Sequence, residues 1–284
     1  MYLVFDTGGT KMRLAYSADG QTLEEPVILS TPHDFKEAME TFAKQTQLLT
    51  KGRPIRAVAG GVPGALNQDH SVIVKAHNIR GWVNQPLKQE LERITGAPVS
   101  IENDTTVYGL AEVSHGDAKE KDIVVYITVS TGIGGKRFVQ GQPEPSAFGF
   151  EPGYQIINMP PYAARHDADI QKKTGYLEML VGGNGLRARF GKPAEEIDDP
   201  EVWDEAAFFL AAGLNNVTVF WSPELIILGG SVMKDMPLDK VRSYLHSLNP
   251  IFTALPELRL SQFGERGGLE GALAFLNSAQ YLRH

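Results

Sequence analysis

Three times in this chain an apolar stretch runs without a break into a glycine-rich polar loop. Tyr2 to Phe5 enters Asp6-Thr7-Gly8-Gly9-Thr10-Lys11, Ile123 to Val129 enters Ser130-Thr131-Gly132-Ile133-Gly134-Gly135, and Leu225 to Leu228 enters Gly229-Gly230-Ser231. A strand that exits through glycines exposes backbone N–H groups that a side chain would otherwise shield, and strand ends are where α/β proteins take up ligands. The pattern therefore points to an α/β chain built as two halves, each opening with an apolar strand and a Gly-Gly loop.

The segments between these loops fit that plan. Met12 to Tyr16 resumes a strand pattern before the turn at Asp19-Gly20, which makes the first loop the tip of a hairpin. Apolar residues at helical spacing mark Phe35 to Leu49, and Arg56 to Ala59 reads as a strand leaving through Gly60-Gly61-Val62-Pro63-Gly64. Pro86 to Thr95 reads as a helix closed by Gly96. Val99 to Ile101 reads as a strand leading to Glu102-Asn103-Asp104, whose Asn-Asp pair can cap a helix beginning near Thr105. The one shift in composition, His115-Gly116-Asp117 with Lys119-Glu120-Lys121-Asp122, sets the expected boundary: an N-terminal lobe over 1–116 and a C-terminal lobe over 117–284. No short-period repeat and no low-complexity segment is present.

Composition removes several classes of function. The chain of 284 residues carries a formal net charge of −7 and no run of Lys or Arg, so a nucleic-acid partner is not expected. It contains no cysteine, which excludes disulfides, thiolate zinc sites and a cysteine nucleophile. Asp6 interrupts the first apolar run too early for a secretory signal, and no stretch approaches the ~18 apolar residues of a membrane span. The expectation is a soluble, cytoplasmic protein with no membrane partner. None of the seven histidines has metal-ligand spacing. His166-Asp167-Ala168-Asp169 is a weak metal candidate that a solvated loop explains better. Neither a P-loop, nor G-x-S-x-G, nor G-x-G-x-x-G occurs.

What remains is phosphate chemistry beside carboxylates. In the first loop glycine amides can surround phosphate oxygens, Thr10 can donate to them, Lys11 adds charge, and Asp6 can hold Mg²⁺ directly or through water; a tight hairpin turn explains the same residues equally well. The loop from Ser130 repeats this chemistry in the other half. Asp104 should sit at a helix N-terminus, where the dipole keeps a carboxylate ionised and able to accept a proton, although a plain N-cap accounts for Asn103-Asp104 too. Glu151 and Glu178 are further carboxylates beside glycines, and such groups suit the vicinal hydroxyls of a sugar.

Taken in order, these motifs resemble those of the ROK family of sugar kinases and related repressors. Asp6-Thr7-Gly8-Gly9-Thr10-Lys11 is similar to D-[IL]-G-G-T-K, Gly61-Val62-Pro63-Gly64 to G-[IV]-P-G, and Asn78-Ile79-Arg80-Gly81-Trp82 to N-[LI]-x-G-W. Glu102-Asn103-Asp104 matches E-N-D, Ser130 to Gly135 matches G-T-G-I-G-G apart from its first residue, Leu228 to Val232 is similar to L-G-G-G-[VI], and Gly271-Ala272 to G-A-A. The resemblance implies a two-lobed, actin-like (ribonuclease H-like) ATPase fold with a cleft between the lobes, and a terminal helix near 268–282 packing back on the first lobe. It implies ATP- and Mg²⁺-dependent phosphorylation of a hexose or N-acetylhexosamine, as in a glucokinase. Asp104 would be the base. Gly64, Asn78, Asn103, Asp104, Glu151, Tyr154 and Glu178 would bind the sugar, and the lobes would close on it to exclude water. Asp6, Gly8, Gly9, Thr10, Lys11, Thr131, Gly132, Gly134, Gly229 and Gly230 would bind the nucleotide, with Asp6 near the metal. A homodimer is compatible with the resemblance.

Two departures lie at the sugar end. The family's E-x-G-H becomes Glu151-Pro152-Gly153-Tyr154, and its C-x-C-G-x-x-G-C zinc cluster is missing, with Tyr176 where the last cysteine would stand and Glu178 still in place beyond it. Met159 to Thr174 would then be held by packing, with Pro160, Pro161 and Tyr162 as candidates. The alternatives are a regulator of the same family or a sugar-binding protein without catalysis. Regulators carry a DNA-binding segment ahead of the first loop, for which a loop starting at residue 6 leaves no room, and the retained Asp6, Lys11 and Asp104 favour catalysis. No structural zinc is expected, and elemental analysis of the purified protein should find none; a stoichiometric zinc content would contradict this.

Overall fold

A computed structural model describes residues 1–76, 78–147, 149–159 and 175–278. They form two compact units, one comprising Met1–Lys119 and the end of the chain from Glu265, the other Glu120–Gly264.

The first unit is organised by a sheet in the order β3-β2-β1-β4-β7. Its strands are β1 (Tyr2–Thr7), β2 (Lys11–Ser17), β3 (Val27–Ser30), β4 (Ala57–Val62) and β7 (Val99–Asn103), with a small hairpin of β5 (Ala65–Leu66) and β6 (Ile73–Lys75) between the last two. The first three strands form an antiparallel meander, whereas β1, β4 and β7 are parallel. Register aligns the parallel strands at their carboxyl ends: Asp6 stands opposite Gly61, Gly61 opposite Glu102, and Val62 opposite Asn103. Gly60 and Gly61 are strand residues and not a loop, because a Cβ at Gly60 would overlap the Phe5 ring. Helices α1 (Phe35–Thr50), α2 (Leu87–Thr95) and α3 (Asp104–Val113) complete the order of elements here. Asp34 caps α1 by accepting from the Glu37 N–H, and Gly96 ends α2 in the left-handed region. Leu3, Phe5, Met12, Leu14, Phe42, Trp82 and Leu91 fill the core on the α1 and α2 side.

The second unit repeats this topology in the order β10-β9-β8-β13-β14. Its strands are β8 (Ile123–Val129), β9 (Ile133–Val139), β10 (Gln142–Pro143), β13 (Leu225–Gly229) and β14 (Glu257–Leu260), again a meander followed by parallel neighbours. The short strands β11 (Ile156–Asn158) and β12 (Gly175–Tyr176) pair with each other. Helices α4 (Leu177–Val181), α5 (Gly183–Phe190), α6 (Pro200–Trp221) and α7 (Leu238–Leu248) supply much of the apolar wall, with Trp203, Leu210, Leu214 and Leu245 buried against Ile127, Ile226 and Leu228.

The last helix, α8 (Gly267–Leu276), packs in the first unit on α3, β4 and β1. That crossing is close enough to require glycine: a Cβ at Gly271 would fall on the Val107 carbonyl oxygen, and one at Gly268 on the Asp6 carboxyl. Residues 279–284, into which the expected terminal helix reaches, lie outside the described residues, as do Pro160, Pro161, Tyr162 and His166 to Asp169. Overpacking in a core typically costs ~1–3 kcal/mol. Gly271→Ala, which sets a methyl against backbone, should therefore lose about that much in urea denaturation, and an unchanged midpoint would show that the α3–α8 contact yields.

Candidate active site

In the first unit the hairpin register sets Asp6 directly across from Arg13, so the two side chains share one face of the sheet. Arg13 Nη1 donates to Asp6 Oδ2 at 3.0 Å, and the Tyr108 hydroxyl donates to the same oxygen at 3.4 Å. Asp6 Oδ1 accepts no hydrogen bond among the described residues. Arg13 Nη2 reaches Glu265 Oε2 at 2.9 Å, and Lys11 Nζ reaches the same oxygen at 3.4 Å. Asp6 is 3% exposed and Arg13 9%, whereas Lys11 and Glu265 lie at the surface. Burial raises the Asp6 pKa to about 6, against the opposing pull of Arg13 and Tyr108. The Glu265 carboxyl is held below its ordinary value by Arg13 and then by Lys11.

The loop between β1 and β2 turns tightly, the Gly8 N–H donating to the Lys11 carbonyl at 2.8 Å. The Gly8 amide is thus spent on the turn, while those of Gly9 and Thr10 meet no acceptor among the described residues. Gly9 must be glycine because a Cβ there would overlap the side chain of Asn78. The fold thereby sets Asn78 against the loop. These observations fit a nucleoside triphosphate with its cation: the loop leaves two amides without an acceptor, carries a surface lysine, and begins at a carboxylate with one oxygen unpartnered among the described residues. Among the described residues no group of three or more His, Asp or Glu side chains could hold a metal ion. A divalent cation here would rest on Asp6 and phosphate oxygens, the usual arrangement for Mg²⁺.

Asn103 and Asp104 stand at the carboxyl end of β7. Asn103 caps α3 by accepting from the Thr105 N–H at 2.9 Å, and its amide donates to the Gly64 carbonyl at 2.8 Å. Gly64 is left-handed, with φ 98°, and a Cβ would overlap the Lys75 carbonyl. Asp104 is the first residue of α3, one position earlier than its pattern suggested, because Asn103 alone provides the cap. Its Oδ1 accepts from the Thr105 N–H at 2.7 Å, and its Oδ2 makes no hydrogen bond among the described residues. Burial raises the Asp104 pKa to about 7, the charge of Asp6 adding to the effect and the Thr105 N–H opposing it. The group sits poised to take a proton near neutrality.

In the second unit a different set converges. Glu178 Oε2 accepts the Ile133 N–H at 2.8 Å, tying α4 to the loop between β8 and β9. The carbonyls of Ser130 and Thr131 accept the N–H groups of Gly183 and Asn184 at 2.7 and 2.9 Å, so the start of α5 braces that loop. Ser130 Oγ lies 3.2 Å from Ser231 Oγ, which joins it to the turn Gly229-Gly230. Gly132 is closed in by Glu178, and Gly230, at φ 98°, by the Val129 carbonyl. Gly134 is placed inside β9, opposite Thr128, and belongs to the ladder. Tyr154 is half-exposed and packs edge-on against Tyr176, with ring centroids 5.9 Å apart. Burial and then the Glu178 and Glu151 charges raise its pKa, which sets this phenol and both carboxylates in one neighbourhood. Pairing of Ile156 with Tyr176 and this ring contact hold the two flanks of residues 160–174 together.

Sequence reasoning missed Arg13, Tyr108, Glu265, Gly268 and the bracing pair Gly183-Asn184. The legible signals were an arginine inside the apolar run Met12 to Tyr16 and the cluster Gly182-Gly183-Asn184-Gly185; nothing local marks Tyr108 or Glu265.

The ROK family model matches residues 2–279. The chain belongs to the ROK family. A fructokinase of Zymomonas mobilis is 29% identical over 300 residues, covering 99% of this chain and 97% of that protein. The ROK hexokinase of Thermus thermophilus superposes with a TM-score of 0.78 at 28% identity, over 97% of this chain and 98% of that one. A ROK glucokinase of Streptomyces griseus, solved in complex with glucose and AMPPNP, gives 0.75 at 21% identity, over 96% and 98%. The fold is that of the family, the actin-like ATPase fold.

A carboxyl whose folded-state pKa is raised binds its proton more tightly in the folded chain, so its contribution to stability is full below the unfolded pKa and is lost as pH rises through the folded value. For Asp104 that window runs from 3.8 to about 7. Asp104→Asn removes a charge that is largely shielded from water and keeps an acceptor for Thr105. It should raise Tm at pH 8 by about 2–4 °C, the scale of ~1 kcal/mol for a chain of this size, with the gain shrinking towards pH 5. A Tm unchanged or lowered at pH 8 would contradict the buried-charge account.

Proposed function

We propose that the protein is an ATP-dependent sugar kinase that transfers the γ-phosphoryl group to a hydroxyl of a hexose or N-acetylhexosamine, with glucokinase-like chemistry. The single observation that carries this reading is the free Oδ2 of Asp104, on a carboxyl whose pKa is raised to about 7, at the same sheet edge as the Asp6 loop. The sugar hydroxyl attacks the γ-phosphorus, its proton passes to Asp104 Oδ2, and the bond to the bridging oxygen breaks with release of ADP. The transition state is loose, so the work of the protein is positioning and charge neutralisation. Mg²⁺, where bound, neutralises charge on the phosphates. Asp6 would hold it, and Gly8, Gly9, Thr10, Lys11, Thr131, Gly132, Gly134, Gly229 and Gly230 would serve the nucleotide. For Gly8 and Gly134 this role is steric, since their backbones are committed to the turn and the ladder.

Asn78, Asn103, Gly64, Glu151, Tyr154 and Glu178 are the proposed sugar set. Asn103 is also the cap of α3, so its contact with sugar and the placement of Asp104 are coupled through one side chain. The relatives named above act on different sugars, and the Tyr154–Tyr176 pair is where this chain departs from the family motif. Retention of Asp104, Asp6 and Lys11 supports catalysis over a regulatory or binding role. The reading makes sugar and nucleotide the partners of a cytoplasmic enzyme without a membrane partner; the net charge of −7 argues against nucleic acid, and a homodimer accords with the same reading.

A coupled ADP-release assay over glucose, mannose, fructose, N-acetylglucosamine and N-acetylmannosamine tests the proposal. Turnover on one of these is expected, reduced ~10²–10⁴-fold in Asp104→Asn with sugar affinity retained, the range for loss of a general base. Near-wild-type turnover in that variant would remove Asp104 as the base. For the wild type, kcat/KM should fall as pH drops through the Asp104 pKa, about 7 in the free protein, because only the ionised carboxylate accepts the proton. An acidic limb that survives unchanged in Asp104→Asn would assign the titration to another group.

A further inference from the structure

We propose that Arg13 is a positioning residue for the nucleotide: its guanidinium occupies Oδ2 of Asp6, leaves Oδ1 as the oxygen open to a cation, and cancels the aspartate's charge, so that a divalent ion is retained only together with a polyphosphate. This deepens the kinase reading and rests on it.

The geometry behind this is local and buried. Asp6 and Arg13 are direct cross-strand partners at the start of the first loop, and the ion pair they form is almost wholly removed from water, with side chains 4% and 11% exposed. Among the described residues the two donors to Asp6, Arg13 Nη1 and the Tyr108 hydroxyl, converge on Oδ2. Gly268 of α8 lies against the carboxyl so closely that a Cβ there would overlap it, which leaves the Arg13 and Tyr108 contacts to set its orientation. Arg13 is fixed in turn by Glu265 through its second terminal nitrogen. The fork geometry of arginine allows this bridging, which a lysine could not reproduce.

Charge supplies the second part. Lys11, Glu265, Arg13 and Asp6 form a chain of alternating sign whose net charge is zero. A bare divalent cation entering beside Asp6 would also meet the Arg13 guanidinium, so attraction and repulsion nearly offset. A cation that arrives on a polyphosphate brings the negative charge that the site lacks, and Lys11 can trade its exposed pairing with Glu265 for a phosphate oxygen at little cost. The arrangement is not explained by stability. Arg13 Nε is buried without a partner, and burying this charge pair costs desolvation that an apolar pair of similar volume would avoid.

The test is calorimetric titration of the intact protein with AMPPNP and Mg²⁺ together, with Mg²⁺ alone, and with the sugar identified by the kinase assay, or with glucose if none is. Wild type is expected to bind Mg²⁺·AMPPNP and to show no saturable binding of Mg²⁺ alone up to about 5 mM. Arg13→Met should weaken Mg²⁺·AMPPNP binding about tenfold or more while sugar affinity stays within about twofold, and Arg13→Lys should fall between, because it restores charge without the fork. A loss of nucleotide affinity under about threefold, an equal loss for nucleotide and sugar, or saturable Mg²⁺ binding by the nucleotide-free wild type would overturn the inference. If Arg13→Met does not fold, the exposed anchor carries the test: Glu265→Gln should weaken Mg²⁺·AMPPNP about threefold and leave sugar binding unchanged, and no effect would overturn it. Arg13-dependent nucleotide binding by a protein that phosphorylates no sugar would keep this inference and remove the kinase reading, whereas a kinase indifferent to Arg13 would do the reverse.

Discussion

Two carboxylates, Asp6 buried and Asp104 partly buried, stand at the carboxyl ends of the parallel strands that flank β4, and much of the first unit is arranged around the difficulty of keeping them there. Water is the natural partner of a carboxylate, and removing it raises the pKa of Asp6 and Asp104 alike, to about 6 and about 7. The fold answers differently at each. Asp6 receives a fixed guanidinium, a phenol and a helix pressed so close that only glycine fits at position 268. Asp104 receives the N–H of Thr105 and the start of a helix, and keeps its other oxygen open. The first solution fixes a charge in place, and the second leaves a group able to exchange a proton.

The two sheets share one topology yet build different surfaces at their strand exits. In the first unit the exits carry Asp6, Asn103 and Asp104. In the second they carry hydroxyls and glycines, Ser130-Thr131-Gly132 and Gly229-Gly230-Ser231, braced by Glu178 and the start of α5. The aromatic pair Tyr154–Tyr176 and the β11–β12 ladder bind together the flanks of a segment which, in the family motif, a zinc cluster would organise. A dispersive edge-to-face contact lacks the directional rigidity of metal ligation. This part of the second unit is where the chain departs furthest from the family motif.

Some of this was legible residue by residue. The strand from Ile123 to Val129, the helix closed by Gly96 and the capping role of Asn103 follow from local chemistry and stand as that chemistry predicts. Gly60-Gly61 read as a loop because glycine is the commonest marker of one; they lie in a strand because the Phe5 ring occupies the space of a side chain, a fact carried by residues more than fifty positions away. Arg13 was visible only as an oddity in an apolar run. Its meaning depends on the register of β1 against β2 and on Glu265, some 250 residues along the chain.

By itself the sequence determined the alternation of strands and helices, the glycine loops at strand exits, the absence of thiolate metal sites and the family. These are set by local propensity, short-range spacing and composition, which act along the chain. Tertiary structure alone decided which oxygen of Asp6 is free, how far the two carboxyls are shielded from water, and that Glu178 answers to the backbone of Ile133. Those are consequences of burial and of contacts between distant segments, and neither exists until the chain has folded.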